Sequence, residues 1–412
     1  MKKKLFIKEW DERIKEDNEL QKLIGSHNFQ FLLKCGQEEI LWSIKDGVIN
    51  YQKKYSIDDV WHFTVVIPDD AWQKFIQSPP PAFHTTLQAM IANVHGVKVE
   101  GDRIVWAQCI EIVERILYLA RRPNETLALL SDQEFSPESI NGHYINIEIG
   151  GQNYTIYYEE AGKGHPIIFL HTAGSDSRQF KYLLGNKKLQ EKWHMYTFDL
   201  PYHGKSNPPN NWWEERYQLT TELYTNWILA FMKATNLYDK KPVISGASMG
   251  GAIVLFLAAE YGSLFKGVIS IEGGFGRSGR MVSWTNHPKV HAGNFIASWV
   301  GGLFAPDSPE YYRRLTLWEY SQGGPGIYQG DMYFYSHDFP KATRNIGKAQ
   351  CPLWILTGDY DYSCTVEMSK EAADRLGGKF IKLEGMGHFP MSEKPREFLS
   401  YLEPVLNEIC RL

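Results

Sequence analysis

Long apolar runs are missing from this chain. No stretch approaches the roughly 18 consecutive apolar residues of a membrane helix, so stable membrane insertion is not expected. Met1-Lys2-Lys3-Lys4 opens like a signal peptide, but Lys8, Glu9, Asp11 and Glu12 interrupt the apolar core that such a peptide needs. Cysteine is scarce: five in 412 residues. An odd number at wide spacing makes no disulfide framework, and no spacing matches a metal site, so no metal is expected. The thiols read as buried groups of a reducing compartment. An excess of one charge is also lacking, with 44 Lys+Arg against 48 Asp+Glu and a net charge of −4. That balance predicts no affinity for nucleic acid or anionic membranes. A cytoplasmic protein is expected, in which the sequons at Asn124 and Asn153 carry no meaning. Internal repeats and low-complexity segments are absent.

What is present is a globular composition, 43% hydrophobic and 22% charged, able to bury a full core. The length suggests two or three domains. One short stretch stands out, Gly246-Ala247-Ser248-Met249-Gly250. It follows the apolar run Pro242-Val243-Ile244 and precedes another, Gly251 to Ala259. Strand, Gly-x-Ser-x-Gly, helix is the context of a nucleophile elbow. A serine hydroxyl is a weak nucleophile until it is held in the open beside a base. The tight turn projects it, and the glycines let backbones approach without Cβ clashes. The helix N-terminus adds unpaired N–H groups suited to an oxyanion.

Two strand patterns lie downstream. Leu353-Trp354-Ile355-Leu356-Thr357 ends in Gly358-Asp359-Tyr360-Asp361, and Phe380-Ile381-Lys382-Leu383 runs into Glu384-Gly385-Met386-Gly387-His388-Phe389. Upstream, Pro166-Ile167-Ile168-Phe169-Leu170 leads to His171-Thr172-Ala173-Gly174. Next come Tyr196 to Leu200 and the loop Pro201-Tyr202-His203-Gly204-Lys205-Ser206. From about residue 140 onward these segments, in this order, resemble the α/β-hydrolases. The resemblance implies a mostly parallel sheet with helices and an inserted helical cap. It implies a triad of Ser248 as nucleophile, His388 as base and Asp361 as the acid that fixes the imidazole tautomer. Asp359, two residues away, competes for the last role. The oxyanion N–H groups would come from Met249 and from the loop after the third strand, on Ala173 with Thr172 as alternative. Most relatives carry His-Gly where this chain has His171-Thr172, which bears on the shape of that loop. His171 and His203 read as loop-shaping groups, and Asp199 as a backbone partner at a strand end.

The first third reads differently. Phe29 to Asn50 alternates apolar and polar residues around a turn at Asp46-Gly47, as a hairpin does. Trp61 to Ile67 alternates too. Asp69 and Asp70 open a helical pattern through Ile76. Thr85 to Val94 repeats at helical spacing, Val97 to Asp102 reads as strand and turn, and Ile110 to Ala120 as an amphipathic closing helix. The Trp42…Asp46-Gly47 hairpin, the Trp72 helix and the Val99-Glu100-Gly101-Asp102 turn resemble the sterol-carrier-protein-2-like fold. That resemblance implies a small α+β domain with an apolar tunnel for acyl chains or sterols; a filled packing or homodimerising module stands as the alternative. The expected organisation is 1–125 for this domain, 126–140 for a polar, proline-punctuated linker, and 141–412 for the hydrolase domain with its cap at about 277–340.

That cap segment is rich in large aromatics, and Trp284, Trp299 and Trp318 are the candidate substrate-binding residues for an apolar small molecule. Gly274-Phe275-Gly276-Arg277-Ser278-Gly279 matches a dinucleotide fingerprint. No helix follows it and no acid lies about 20 residues on, so no cofactor is expected. Three functions remain open at this level. One is a serine hydrolase acting on a carboxylic ester, lactone or thioester. A second uses the same triad on a C–C bond of a ring-cleavage-type diketone. The third is a non-catalytic lipid carrier.

Overall fold

The computed structural model describes residues 2–56, 58–121, 134–276 and 283–412. The chain divides into two compact units: Met1–Thr126 with Trp284–Asp307, and Leu127–Ser283 with Ser308–Leu412. Most of the expected linker, and the last half of the fingerprint-like stretch, lie outside the described residues.

The first unit carries five strands, β1 (Phe29–Cys35), β2 (Glu38–Lys45), β3 (Val48–Gln52), β4 (Phe63–Ile67) and β5 (Lys98–Gly101), in the order β3-β2-β1-β4-β5. The hairpin turn between β2 and β3 is Asp46-Gly47, with both residues at positive φ, 52° and 76°. Two left-handed residues match the right-handed twist of the flanking strands, which is why Asp-Gly serves there. Helix Arg103–Tyr118 starts at Asp102, whose Oδ1 accepts from the N–H groups of Ile104 and Val105 at 2.9 and 3.0 Å. Helices Lys2–Glu16 and Asn18–Ile24 precede β1. Trp10 ties the first of them down: its indole N–H donates to Ile116 O at 2.8 Å, and its ring meets Trp42 edge-on at 5.4 Å.

Trp284–Asp307, within the expected cap segment 277–340, groups with this unit. Helix Ala292–Val300 buries Phe295, Ile296 and Val300. Phe295 and Trp284 both meet the Trp106 ring edge-on, at 6.4 and 6.0 Å. Gln108 donates to Lys289 O at 2.7 Å, and Thr85 to Gly302 O at 3.0 Å. An amphipathic helix reads alike whichever core it joins, so the pattern alone did not assign it.

The second unit holds an eight-stranded mixed sheet: β6 (Asn141–Ile149), β7 (Gln152–Gly162), β8 (His165–Leu170), β9 (Trp193–Phe198), β10 (Val243–Ala247), β11 (Gly267–Ile271), β12 (Leu353–Gly358) and β13 (Lys379–Leu383). The order is β13-β12-β11-β10-β8-β9-β7-β6. The pairs from β9 through β8 and on to β13 are parallel, while β6, β7 and β9 pair antiparallel. Both faces are covered, so the central strands are apolar throughout rather than alternating. Along β12, Leu353 and Ile355 join one core and Trp354 and Leu356 the other. The first core takes helices Thr221–Ala234 and Met249–Glu260, the second helix Pro395–Arg411. In open sheets of this kind, ligands bind at the carboxyl ends of the parallel strands.

Candidate active site

Ser248 sits between β10 and helix Met249–Glu260 at φ 53°, ψ −107°. A non-glycine residue is held at such a φ only where the surroundings over-determine it. Here the Ser248 N–H donates to Ile271 O at 2.8 Å. A Cβ on Gly246 would come within 2.3 Å of Gly250 O, and one on Gly250 within 2.4 Å of Leu170 O. The two glycines of the motif are therefore demanded by backbone contact. Met249 is the first residue of the helix, where N–H groups have no intrahelical acceptor.

Asp361 lies beyond β12 and His388 beyond β13. His388 Nδ1 is 2.5 Å from Asp361 Oδ2, and both side chains are buried. Asp361 Oδ1 accepts from the Ser363 N–H at 2.6 Å. Asp359 is directed elsewhere, accepting from the Gly385 N–H at 2.8 Å. The loop that carries His388 is shaped by Glu393, which accepts from the N–H groups of Gly387 and Phe389 at 2.7 and 3.3 Å. A second acid approaches the pair. Glu272 follows β11 at φ 52°, is fully buried, and accepts from the Gly358 N–H at 2.8 Å. Burial, reinforced by the neighbouring Asp361 carboxylate, pushes its pKa well above the ordinary range, which favours its neutral form. Donor atoms of Glu272, Asp361 and His388 all lie within 4.8 Å of one another. A metal would compete there with the short Asp361–His388 hydrogen bond.

The Ser248 hydroxyl hydrogen-bonds to Tyr335 Oη at 2.8 Å and not to His388. Catalytic hydrogen bonds are often loose before substrate binds and tighten in the complex.

The loop after β8 has its N–H groups distributed. That of Thr172 donates to Gln179 Oε1 at 3.0 Å, and that of Gly174 to Asp331 Oδ2 at 2.7 Å. The Ala173 N–H, between them, donates to no group among the described residues. Asp331 comes from helix Ile327–Tyr333 and also accepts from His203 Nε2 at 2.9 Å and from the Tyr217 hydroxyl at 2.7 Å. The Thr172 hydroxyl meets Tyr320 Oη at 2.5 Å.

An order of strands, an elbow serine and a His–Asp pair at strand ends make a pattern that known proteins share. The description "Alpha/beta hydrolase family" matches residues 167–400, more than half of the sequence. The chain belongs to that family. This hydrolase is 33% identical over 265 residues to "Putative esterase/lipase 2" of Mycoplasma pneumoniae, covering 60% of this chain and 91% of that protein. Among solved structures, the enol-lactonase of Burkholderia xenovorans LB400 matches with a TM-score of 0.54 at 17% identity, over 64% of this chain and all of that one. A thermophilic esterase of Thermogutta terrifontis matches at 0.53 and 18%, over 65% and 99%. At such identities these two structures speak for the fold alone. No helix among the described residues is long and apolar enough to cross a membrane.

Two buried histidines beside the hydrolase's Thr172–Gly174 loop have pKa values shifted in opposite directions. His171 Nε2 accepts from the Leu200 N–H at 3.1 Å while Nδ1 donates to Thr172 O at 2.8 Å, a neutral ring. Burial, then the nearby His203, lowers its pKa to about 4. His203 has acceptors at both nitrogens, Pro201 O at 3.0 Å and Asp331 at 2.9 Å. Burial opposes its charge, but Asp331 and the carbonyl outweigh burial and its pKa is raised. His171 therefore binds a proton only on unfolding through much of the acid range. Its share of stability is complete above pH ~6.5 and is lost as pH falls from there toward about 4. The shift corresponds to about 3 kcal/mol. His203 acts in the opposite sense, its share being lost as pH rises through its raised value. Melting curves of wild type and His171→Gln across pH 7 to 4 should diverge, the wild type losing stability more steeply. Parallel curves would count against a neutral, buried His171.

Ser248, Asp361, His388, Met249, Ala173 and Thr172 thus belong to one unit of the chain. The three tryptophans do not gather there. Trp284 and Trp299 belong to the first unit, where Trp299 stacks on Phe295 at 5.6 Å. Trp318 is 56% exposed, with the Arg178 guanidinium 5.5 Å from its ring. Groups in contact with Ser248, the Asp361–His388 pair or the loop that carries His388, and not singled out by pattern reading, are Tyr335, Glu272 and Glu393. Only Glu272 left a trace in sequence, as a charge directly after the buried strand Gly267–Ile271.

Proposed function

We propose that this α/β-hydrolase cleaves a carboxylic ester of an apolar small molecule through Ser248, His388 and Asp361. The observation that carries this is the buried 2.5 Å contact of His388 with Asp361, in the unit whose mixed sheet presents the elbow serine. In the reaction, Ser248 Oγ bonds to the carbonyl carbon as His388 takes its proton. The carbonyl π electrons pass to oxygen, and the N–H groups of Met249 and Ala173 receive that charge. The alternative donor, Thr172, has its N–H engaged by Gln179, which favours Ala173. Collapse of the intermediate expels the alcohol with the proton from His388. Water activated by the same base then releases the acid. The esterase and lipase wording of the Mycoplasma pneumoniae relative supports an ester in preference to a C–C bond.

Buried aromatics around this site, Tyr320, Phe334, Tyr335 and Phe389, suit an apolar acyl or aryl group. For the first unit we propose a sterol-carrier-protein-2-like module, on the order of its strands and helices. The test is a series of p-nitrophenyl esters from acetate to decanoate, with a fluorophosphonate probe and mass spectrometry of the labelled peptide. Turnover together with an adduct on Ser248 is expected. No turnover and no adduct would leave the carrier reading in its place.

A further inference from the structure

The group hydrogen-bonded to the nucleophile's oxygen is neither the base nor an oxyanion N–H but the phenol of Tyr335, 2.8 Å away. That contact is built by the surrounding backbone. Phe334–Asp338 is a π-helical turn, and the Phe339 N–H reaches back five residues to Phe334 O. Pro340 follows and has no N–H to continue an α-helical ladder. Single π turns re-aim side chains and recur at functional sites. The carbonyl of Tyr335 is then clasped from the other side: a Cβ on Gly276 would stand 2.5 Å from it, and Gly276 itself is at φ 84°. Phe334 meets the Tyr335 ring edge-on at 5.8 Å, and the side chain is 4% exposed. A phenol held this firmly against a nucleophile is a costly arrangement if its only purpose is to fill space.

We propose that Tyr335 is a catalytic residue, a third hydrogen-bond donor to the tetrahedral oxyanion. The inference rests on the serine-hydrolase reading. Serine has one hydroxyl hydrogen, and the base needs it. The phenol is protonated at neutral pH, so in the reactive arrangement Tyr335 donates to a lone pair of Ser248 Oγ. When Oγ bonds to the carbonyl carbon, its proton passes to His388 and the C=O π pair moves onto the carbonyl oxygen. Oγ keeps two lone pairs, the O–H pair replacing the one spent in the new bond, but it is now a neutral ether-type oxygen and a weaker acceptor than an anion. The oxyanion, attached to the same carbon, is the strongest acceptor within reach of the phenol. The Tyr335 O–H turns to it without transferring its proton. On collapse the π bond reforms, and the phenol returns to Oγ after deacylation. The hydrogen bond is thus made to the transition state more strongly than to the bound ester, which is the condition for raising kcat rather than lowering KM.

The experiment compares wild type with Tyr335→Phe, which keeps the ring, using a p-nitrophenyl ester and phenylboronic acid. The boronate forms a tetrahedral adduct on Oγ and places an oxygen where the oxyanion would be. Loss of one such donor typically lowers turnover about 10²–10³-fold. The expected result is a kcat fall of that order, KM within about threefold, and a boronate inhibition constant weakened in parallel. If the phenol only steadied the resting serine, the boronate would bind as tightly as before or tighter. That outcome, or a kcat within about threefold of wild type, overturns the proposal. Failure of the underlying reading is separate and shows in the wild type itself, as no ester turnover and no adduct on Ser248.

Discussion

Replacing Ser248 by alanine is expected to abolish ester turnover, a loss of roughly 10⁶-fold in kcat, while the protein stays folded. The size follows from the mechanism: without Oγ there is no acyl-enzyme, and His388 has no hydroxyl to activate. The small structural cost follows from the elbow. Its shape is set by backbone contacts, Gly246 against Gly250 and Gly250 against Leu170, and the Ser248 N–H bond to Ile271 remains. Alanine meets the same positive φ that serine already tolerates. The hydrogen bond lost is that to Tyr335, worth about 1 kcal/mol. Steady-state assays with a p-nitrophenyl ester, a thermal melt and fluorophosphonate labelling check all three points. Activity above a few per cent in a folded Ser248→Ala protein would remove Ser248 from the chemistry.

Much of this site was legible before any coordinates because its signals are local. A nucleophile elbow needs an apolar strand, glycines flanking the serine and an apolar helix, all within about 20 residues. Asp361 and His388 each follow a strand that is recognisable by itself, and their order along the chain did the rest. The Asp46-Gly47 hairpin was readable for the same reason, since a type I′ turn selects its residues through φ. What escaped depends on contacts between distant segments. Tyr335 is one tyrosine among many in an aromatic stretch, and only a π turn singles it out. Glu393 acts through backbone N–H groups of another loop, which leaves no spacing to detect. Trp284 and Trp299 read as pocket residues because aromatics in an insertion resemble a cap. Burial against Trp106 and Phe295 drew them into the other unit, and hydrophobic periodicity carries no information about which core a helix joins.

Asp361→Asn should lower kcat/KM by about 10⁴-fold, whereas Glu272→Gln should stay within about tenfold of wild type. Both carboxyl groups are buried within 4.8 Å of each other and of His388, so proximity alone does not say which one serves the imidazole. Protonation does. Two buried carboxyl groups at this range do not both ionise. Asp361 accepts from two donors, the Ser363 N–H and His388 Nδ1. Glu272 accepts from a single N–H, and burial with the Asp361 charge keeps it neutral. An asparagine at 361 turns an N–H toward Nδ1, favours the wrong tautomer and offers no charge to the imidazolium. Glutamine at 272 replaces one neutral group with another of similar shape and keeps an acceptor for the Gly358 N–H. Measured on the same ester at pH 7, the reverse ranking would transfer the acid's role in the triad from Asp361 to Glu272, and β11 would then supply it instead of β12.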